Sequence, residues 1–325
     1  MKEHLYDLYQ KTGPAPVIKK LGALKLGMEQ TPVMFKGQPI AVESELPNEN
    51  FPYQHIRARN MATGEVSKPF GIEYYFASAF VEGDTLYAFA TSRRDNKPLT
   101  MYNEGTEWHD PRGGHEVKMF KTKDLINWEE KTVIRAEDRR MWNTSVCKGE
   151  DKYVMAIEVN EQEGYNIPEI GHGFTSFFAV SDDLETWEML PDKYSYTSSR
   201  YNACPALRYS KGYYYMICLE ALPCQRYAPY IYRTKDFENW EVGFHNPMMM
   251  WSDEDRIPHE KSNFNKEELD LLYNGLNINC SDLDLFEYEG KTHIYYSNGD
   301  QMHYSFLCEA VYDGTVEEFL EHFFK

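Results

Sequence analysis

Thr122-Lys123-Asp124-Leu125-Ile126-Asn127-Trp128 decides the fold, because its pattern returns twice, at Ser181-Asp182-Asp183-Leu184-Glu185-Thr186-Trp187 and at Thr234-Lys235-Asp236-Phe237-Glu238-Asn239-Trp240. Each copy of Ser/Thr-x-Asp-Leu/Phe-x-x-Trp follows a β-rich run: Val117-Lys118-Met119-Phe120, Ser176-Phe177-Phe178-Ala179-Val180 and Tyr230-Ile231-Tyr232-Arg233. A strand, a tight polar turn whose aspartate bonds backbone amides, and a tryptophan that opens the next strand make one hairpin unit. The tryptophans are spaced 59 and 53 residues apart, room for a four-stranded sheet and one long loop. Periods of this size mark propellers and other arrays.

The remaining repeats are placed by glycine-centred turns. Thr31-Pro32-Val33-Met34-Phe35 and Pro39-Ile40-Ala41-Val42-Glu43 flank Gly37, with a third strand starting near His55. Tyr74-Tyr75-Phe76 and Thr85–Thr91 flank Gly83, and Asn143-Thr144-Ser145-Val146 and Lys152–Val159 flank Gly149. Asn202-Ala203-Cys204-Pro205 and Tyr213–Glu220 flank Gly212, and Asn279-Cys280-Ser281-Asp282 and Thr292–Ser297 flank Gly290. The expectation is an all-β chain, a five-bladed β-propeller of four-stranded antiparallel blades over residues 29–325. Residues 1–28 read as an N-terminal cap segment with a short helix at Glu3–Lys11. A helical insert at about residues 246–277 precedes the last blade; Asn263 or Asn265 caps its helix, and Glu267 and Glu268 sit in the first turn.

Composition narrows the function. A net charge of -18 argues against a nucleic-acid backbone as partner. The first residues lack the apolar core of a signal peptide, and no run approaches a membrane span, so the expectation is a cytoplasmic protein with no membrane partner. The sequence is compatible with a homo-oligomer. Cys147, Cys204, Cys218, Cys224, Cys280 and Cys308 contain no Cys-x-x-Cys pair, which predicts free thiols. Neither a metal nor another cofactor is expected.

In an antiparallel four-stranded blade the starts of the first and third strands and the ends of the second and fourth share one face. The repeated tryptophan turns lie on the other face, so the site belongs opposite them. Long segments there, Ser92–Gly114 and Asn160–Gly171, mark that face as functional. Glu158 and Glu220 end matching strands of adjacent units, and Asp282 and Asp284 begin a strand, where alternation sets both on one side. Glu43 ends the second strand of the first unit, and Glu29 precedes its first strand. A lone acid at a strand end is often just the point where the chain meets solvent. A set from several blades can supply the proton donor and the carboxylate that glycosidic hydrolysis needs.

Histidines recur near third-strand starts at His55, His115, His172 and His303, suited to sugar hydroxyls and equally to backbone-satisfied structural roles. Arg57, Arg93, Arg94 and Arg226 are candidate anion holders, although surface arginine is the commoner explanation. Trp108, Trp142 and Tyr201 are candidate stacking platforms. Asn143 and Asn202 complete the candidate substrate-binding set.

The three hairpins, the opening Ala203-Cys204-Pro205-Ala206 before Lys211-Gly212-Tyr213-Tyr214-Tyr215, and the stretch Asn279–Leu285 together resemble the five-bladed propeller glycoside hydrolases, the arabinanase, xylosidase and invertase-like group. The resemblance spans roughly residues 30–320. It implies a glycosidase acting on a small carbohydrate, with three acids among Glu158, Glu220, Asp282 and Asp284. In that scheme Glu220 is the general acid, Asp282 the base or nucleophile, and Glu158 or Asp284 a modulator. The sequence departs from the group's pattern at Gln30-Thr31-Pro32, where an Asp-Pro opening is expected, and at Asn202, where a glutamate is expected. Two alternatives follow, a catalytically silent carbohydrate-binding propeller and a glycoside phosphorylase using Arg93, Arg94 or Arg226 for phosphate.

Overall fold

Each hairpin turn is a small hydrogen-bonded cage. Thr122 Oγ1 accepts the Leu125 amide at 3.0 Å, and Asp124 Oδ1 accepts those of Ile126 and Asn127 at 2.9 and 2.8 Å. The second copy repeats this through Ser181 to Leu184 (2.9 Å) and Asp183 to Glu185 and Thr186 (2.8 and 2.7 Å). The third does so through Thr234 to Phe237 (2.9 Å) and Asp236 to Glu238 and Asn239 (2.9 and 2.8 Å). The cage holds Leu125, Leu184 and Phe237 at φ of 61°, 66° and 60°, a left-handed backbone that such side chains rarely adopt. Trp187 and Trp240 close their turns by donating Nε1–H to the carbonyls of Leu184 (2.9 Å) and Phe237 (3.2 Å), whereas Trp128 stacks on Phe70 at 3.6 Å. The backbone amides pull the Asp124, Asp183 and Asp236 carboxyls below the usual carboxylate range.

The computed structural model describes residues 13–46, 51–92, 114–160, 173–197, 200–224, 226–300 and 303–325. They fall into two units, Glu29–Arg208 and Met1–Met28 with Tyr209–Lys325. The expected helix at Glu3–Lys11 lies outside the described residues.

The Glu29–Arg208 unit contains three antiparallel meanders. The first is β2 (Gln30–Phe35), β3 (Gln38–Glu45) and β4 (His55–Asn60). The second is β5 (Tyr75–Glu82), β6 (Thr85–Thr91), β7 (Glu116–Thr122) and β8 (Glu129–Arg135). The third is β9 (Arg140–Lys148), β10 (Tyr153–Asn160), β11 (Phe174–Ser181) and β12 (Glu188–Met189). Two-residue periodicity builds the core, since successive side chains on a strand point to opposite faces. Ala88, Ala90 and Phe120 join Val42, Ile56 and Phe70 in one apolar cluster. Their strand neighbours Phe89, Val117 and Met119 join Met155, Ile157 and Phe177 in another. Strand β13 (Ala203–Ser210) carries the chain from this unit into the other.

The second unit continues with β14 (Tyr213–Leu222), β15 (Arg226–Thr234) and β16 (Trp240–Val242), then β17 (Asn279–Tyr288), β18 (Lys291–Gly299) and β19 (Ser305–Tyr312). Strand β1 (Lys19–Leu26) pairs with β19 from Lys19 opposite Val311 to Leu26 opposite Phe306. Part of the segment expected to cap the repeats therefore serves as the outer strand of the last meander. Lys20 pins it: its ammonium lies 2.7 Å from the fully buried Asp255 carboxylate, which also accepts from Tyr296 Oη at 2.7 Å. Gly22 makes the close approach possible, because a Cβ there would sit 2.1 Å from the Ile257 carbonyl oxygen.

The hairpins Lys36-Gly37, Lys211-Gly212 and Glu289-Gly290 each have two consecutive positive φ values, the primed turn whose twist matches two-residue β-hairpins. The insert helix α1 (Lys266–Asn274) begins at Asn265, which makes a reciprocal capping box with Glu268. A second helix, α2 (Val316–His322), is capped by Thr315 and Glu318. No helix among the described residues is long and apolar enough to cross a membrane. The architecture is all-β, with repeated four-stranded antiparallel meanders of the propeller type.

Candidate active site

Strands β5, β9 and β17 share a local irregularity near their starts, whereas β2 pairs with β3 in unbroken register. In β9, Thr144 pairs with Ile157 and Met141 with Val159, so Trp142 and Asn143 together stand opposite Glu158. In β17, Ser281 pairs with Ser297 and Asp284 with Tyr295, so Asp282 and Leu283 stand opposite Tyr296. In β5, Tyr75 pairs with Thr91 and Ser78 with Phe89. These are β-bulges, which re-aim side chains and gather next to active sites. Phe76, Cys204 and Asp282 carry φ of 53°, 49° and 51° near the starts of their strands. The bulge overturns one expectation: plain alternation does not relate Asp282 to Asp284, because an extra residue has been inserted between them.

Glu158 and Glu220 occupy matching places, each two residues from the end of its strand. They are 3 % and 2 % exposed. Glu158 Oε2 accepts from the Cys204 backbone amide at 2.7 Å and from Asn143 Nδ2 at 3.0 Å. The left-handed φ of Cys204 sets the direction of that amide. Asn143 Nδ2 also lies 3.4 Å from Cys204 Sγ, so carboxylate, amide and thiol form one cluster. Asn202 is fully buried; its Oδ1 accepts from Ser176 Oγ at 2.7 Å, and Ser176 pairs with Glu158 across the sheet.

The other unit holds Glu220, Asp282 and Asp284. Glu220 pairs with Ala228, the neighbouring Tyr227 bridges in parallel to Asn279, and Asn279 opens the strand that carries Asp282. These residues therefore share one end of one sheet. Asn279 Nδ2 donates to Ser281 Oγ at 2.8 Å, and Ser281 Oγ donates in turn to Asp282 Oδ2. Asp284 Oδ1 accepts from the Leu285 amide at 2.7 Å. Arg226 lies over the Trp251 ring at 5.8 Å.

The other predicted residues divide. His115 Nδ1 donates to the Arg139 carbonyl at 2.7 Å, a backbone anchor. His55 is fully buried, donating from Nδ1 to the Tyr53 carbonyl at 2.8 Å and accepting at Nε2 from Arg57 Nε at 2.9 Å. Arg57 also lies 3.2 Å from Glu45. Glu43 is held by Arg59 at 3.1 Å. The His303 side chain is 83 % exposed, with Nδ1 2.8 Å from Asp300. Trp142 is 7 % exposed and hemmed in by Phe76 and Phe174, both at 5.3 Å, and by Arg140 at 5.1 Å, so its ring packs against protein. Arg93, Arg94, Trp108 and His172 lie outside the described residues.

Sequence reading missed the Cys204 amide, which depends on backbone placement; the hint for it was the Asn202-Ala203-Cys204 opening. Burial also seals the thiols: it pushes Cys147 up to about 12 and raises Cys280 and Cys308, whereas Cys224 is exposed.

No protein-family model matches the chain, and no curated protein matches it in sequence. Solved structures do match it in fold. One is described as a BT0996 RGII complex, with 12 % identity and TM-score 0.57, covering 96 % of this protein and 95 % of that one. Another is described as a glycoside hydrolase, with 12 % identity and TM-score 0.56, covering 96 % and 95 %. A third is an exo-1,5-alpha-L-arabinanase from a bovine ruminal metagenomic library, with 8 % identity and TM-score 0.52, covering 90 % and 93 %. Across nearly its whole length the protein thus has the fold seen in glycoside hydrolases.

Proposed function

We propose that this protein is a glycoside hydrolase acting on a small glycan or oligosaccharide, with five blades and with its carboxylates at the loop-bearing strand ends. In this reading Glu220, sealed from solvent, is the general acid. Asp282, lifted out of the strand by its bulge and oriented by Ser281, is the base or nucleophile. Glu158 modulates, and Asp284 supports Asp282. The observation that carries the reading is the recurrence of a bulge beside an acid at matching strand ends, in a fold resembling that of glycoside hydrolases.

The test is turnover on a panel of aryl glycosides and oligosaccharides, with and without phosphate. Glu220→Gln and Asp282→Asn should each lower kcat by about a thousandfold or more on a responsive substrate, the scale of losing a group that acts in the transition state. Unchanged turnover in either variant sinks the assignment. A second reading, a silent carbohydrate-binding propeller, is favoured by Gln30, an amide opening the first meander where an acid would serve catalysis. Sugar binding by calorimetry without turnover of any glycoside would select it.

A further inference from the structure

Buried polar atoms are nearly always paired, so an orphan asks for a partner from outside the fold. In the Glu29–Arg208 unit, the buried side-chain atoms without a partner among the described residues belong to Gln30, Gln54, Trp128, Arg139 and Trp142. All but Trp128 lie at or near the start of a strand, the end of the meander that corresponds to the position of Glu158 in its own.

Gln54 is the extreme case, 1 % exposed with both its amide nitrogen and its amide oxygen unpartnered. Its backbone is firmly held, since its carbonyl accepts the Glu73 amide at 2.9 Å and the next residue is the anchored His55. Two residues beyond Glu73 stand Tyr75 and then Phe76, in edge contact at 4.7 Å. Beyond Phe76 comes Trp142, whose Nε1–H is likewise buried and unpartnered. The backbone of Gln54 thus leads through Glu73 to an aromatic pair, and the Trp142 indole N–H lies beyond that pair, next to the bulge opposite Glu158; neither polar group has a partner among the described residues.

We propose that Gln54 and Trp142 are ligand-binding residues that hold hydroxyls of a sugar ring and set which sugar is accepted. The proposal rests on the carbohydrate-binding part of the reading above and does not require turnover. The chemistry is selective for hydroxyls. An amide offers donor and acceptor side by side, matching neighbouring hydroxyls that each donate and accept, and the indole adds one donor. Neither carries charge, and Tyr75 and Phe76, packed with Trp142 in one cluster, add the aromatic surroundings usual in small-molecule sites. A site built to hydrogen-bond a hydroxyl rejects an analogue lacking it, because its own buried groups are then left unpaired.

The test uses the full chain and four free sugars as probes, L-arabinose, D-xylose, D-galactose and D-fructose. Binding is followed through the Gln54 side-chain amide and Trp142 indole resonances and by calorimetry. At least one sugar should move both resonances. Gln54→Met should weaken that sugar tenfold or more while leaving the melting temperature unchanged or raised, and Trp142→Phe should weaken it without unfolding the chain. The proposal is overturned if Gln54→Met binds the sugar like the wild type, whatever its melting temperature, since the orphan amide is then a packing defect or a seat for buried water. It is equally overturned if no sugar of the panel moves these resonances. Its fate is separable from that of the hydrolase reading: Glu220→Gln should abolish hydrolysis and leave both resonances responsive.

Discussion

The backbone amide of Cys204 donates to Glu158 Oε2 at 2.7 Å, from a residue held at φ 49°. That bond, joined by Asn143 Nδ2 at 3.0 Å, fixes one oxygen of the carboxylate with two donors. A hydrogen bond to a charged group contributes roughly 1.5–3 kcal/mol. Asn143→Ala should therefore lower kcat/KM on a responsive substrate by about 10- to 100-fold, whereas Asn143→Asp, which swaps the donor for a like charge, should lower it further. Steady-state kinetics checks both.

Cys204 itself is tested by backbone preference. Glycine adopts positive φ freely, so Cys204→Gly should keep both fold and activity. Cys204→Val places a β-branched side chain in the left-handed region and should cost roughly 1–3 kcal/mol. Denaturant titration of the two variants gives the comparison; equal stability would mean that this conformation carries no strain.

Lys20 and Asp255 form a buried ion pair at 2.7 Å that fastens β1 to the insert. Removing one partner of a buried pair typically costs about 3–5 kcal/mol, because the other charge is left uncompensated. Lys20→Met should show that loss by chemical denaturation. Lys20→Met combined with Asp255→Asn should recover part of it.

The hairpin aspartates and His259 predict two windows of acid sensitivity. Backbone amides lower the folded pKa of Asp124, Asp183 and Asp236, so their stabilisation is complete above the usual carboxylate pKa and is lost as pH falls through the folded values. Burial lowers His259, against the opposing pull of Glu309, so the neutral ring's contribution is present above the ordinary imidazole pKa and fades as pH drops below it. Denaturation midpoints should therefore fall first below about pH 6.5 and again below about pH 4, the ordinary values of the two groups. His259→Gln should remove the first step and Asp124→Asn should shrink the second.

Much of the fold was legible before any coordinates. The three Ser/Thr-x-Asp turns fixed where meanders reverse, Gly37, Gly212 and Gly290 marked hairpins, and Asn265 capped the insert helix, because each of these signals acts within a few residues of itself. The use of β1 beside β19 was not legible. Its partner lies nearly the whole chain away, and the pairing rests on Lys20 meeting Asp255 and on Gly22 passing Ile257. The site divides in the same way. Glu158 and Glu220 were found as acids ending apolar strands, but the bulges at Trp142-Asn143 and Asp282-Leu283 are invisible to a two-residue period.

The sequence by itself determined the kind of building block and its repetition, since turn chemistry, strand patterning and helix caps are local and are written in adjacent residues. Only the tertiary structure decided that the Cys204 amide meets Glu158, that Asp282 leaves the strand alternation, and that the side-chain amide of Gln54 is buried without a partner among the described residues. Those facts depend on backbone angles and on contacts between residues far apart in the chain, where a small change of register alters which groups meet.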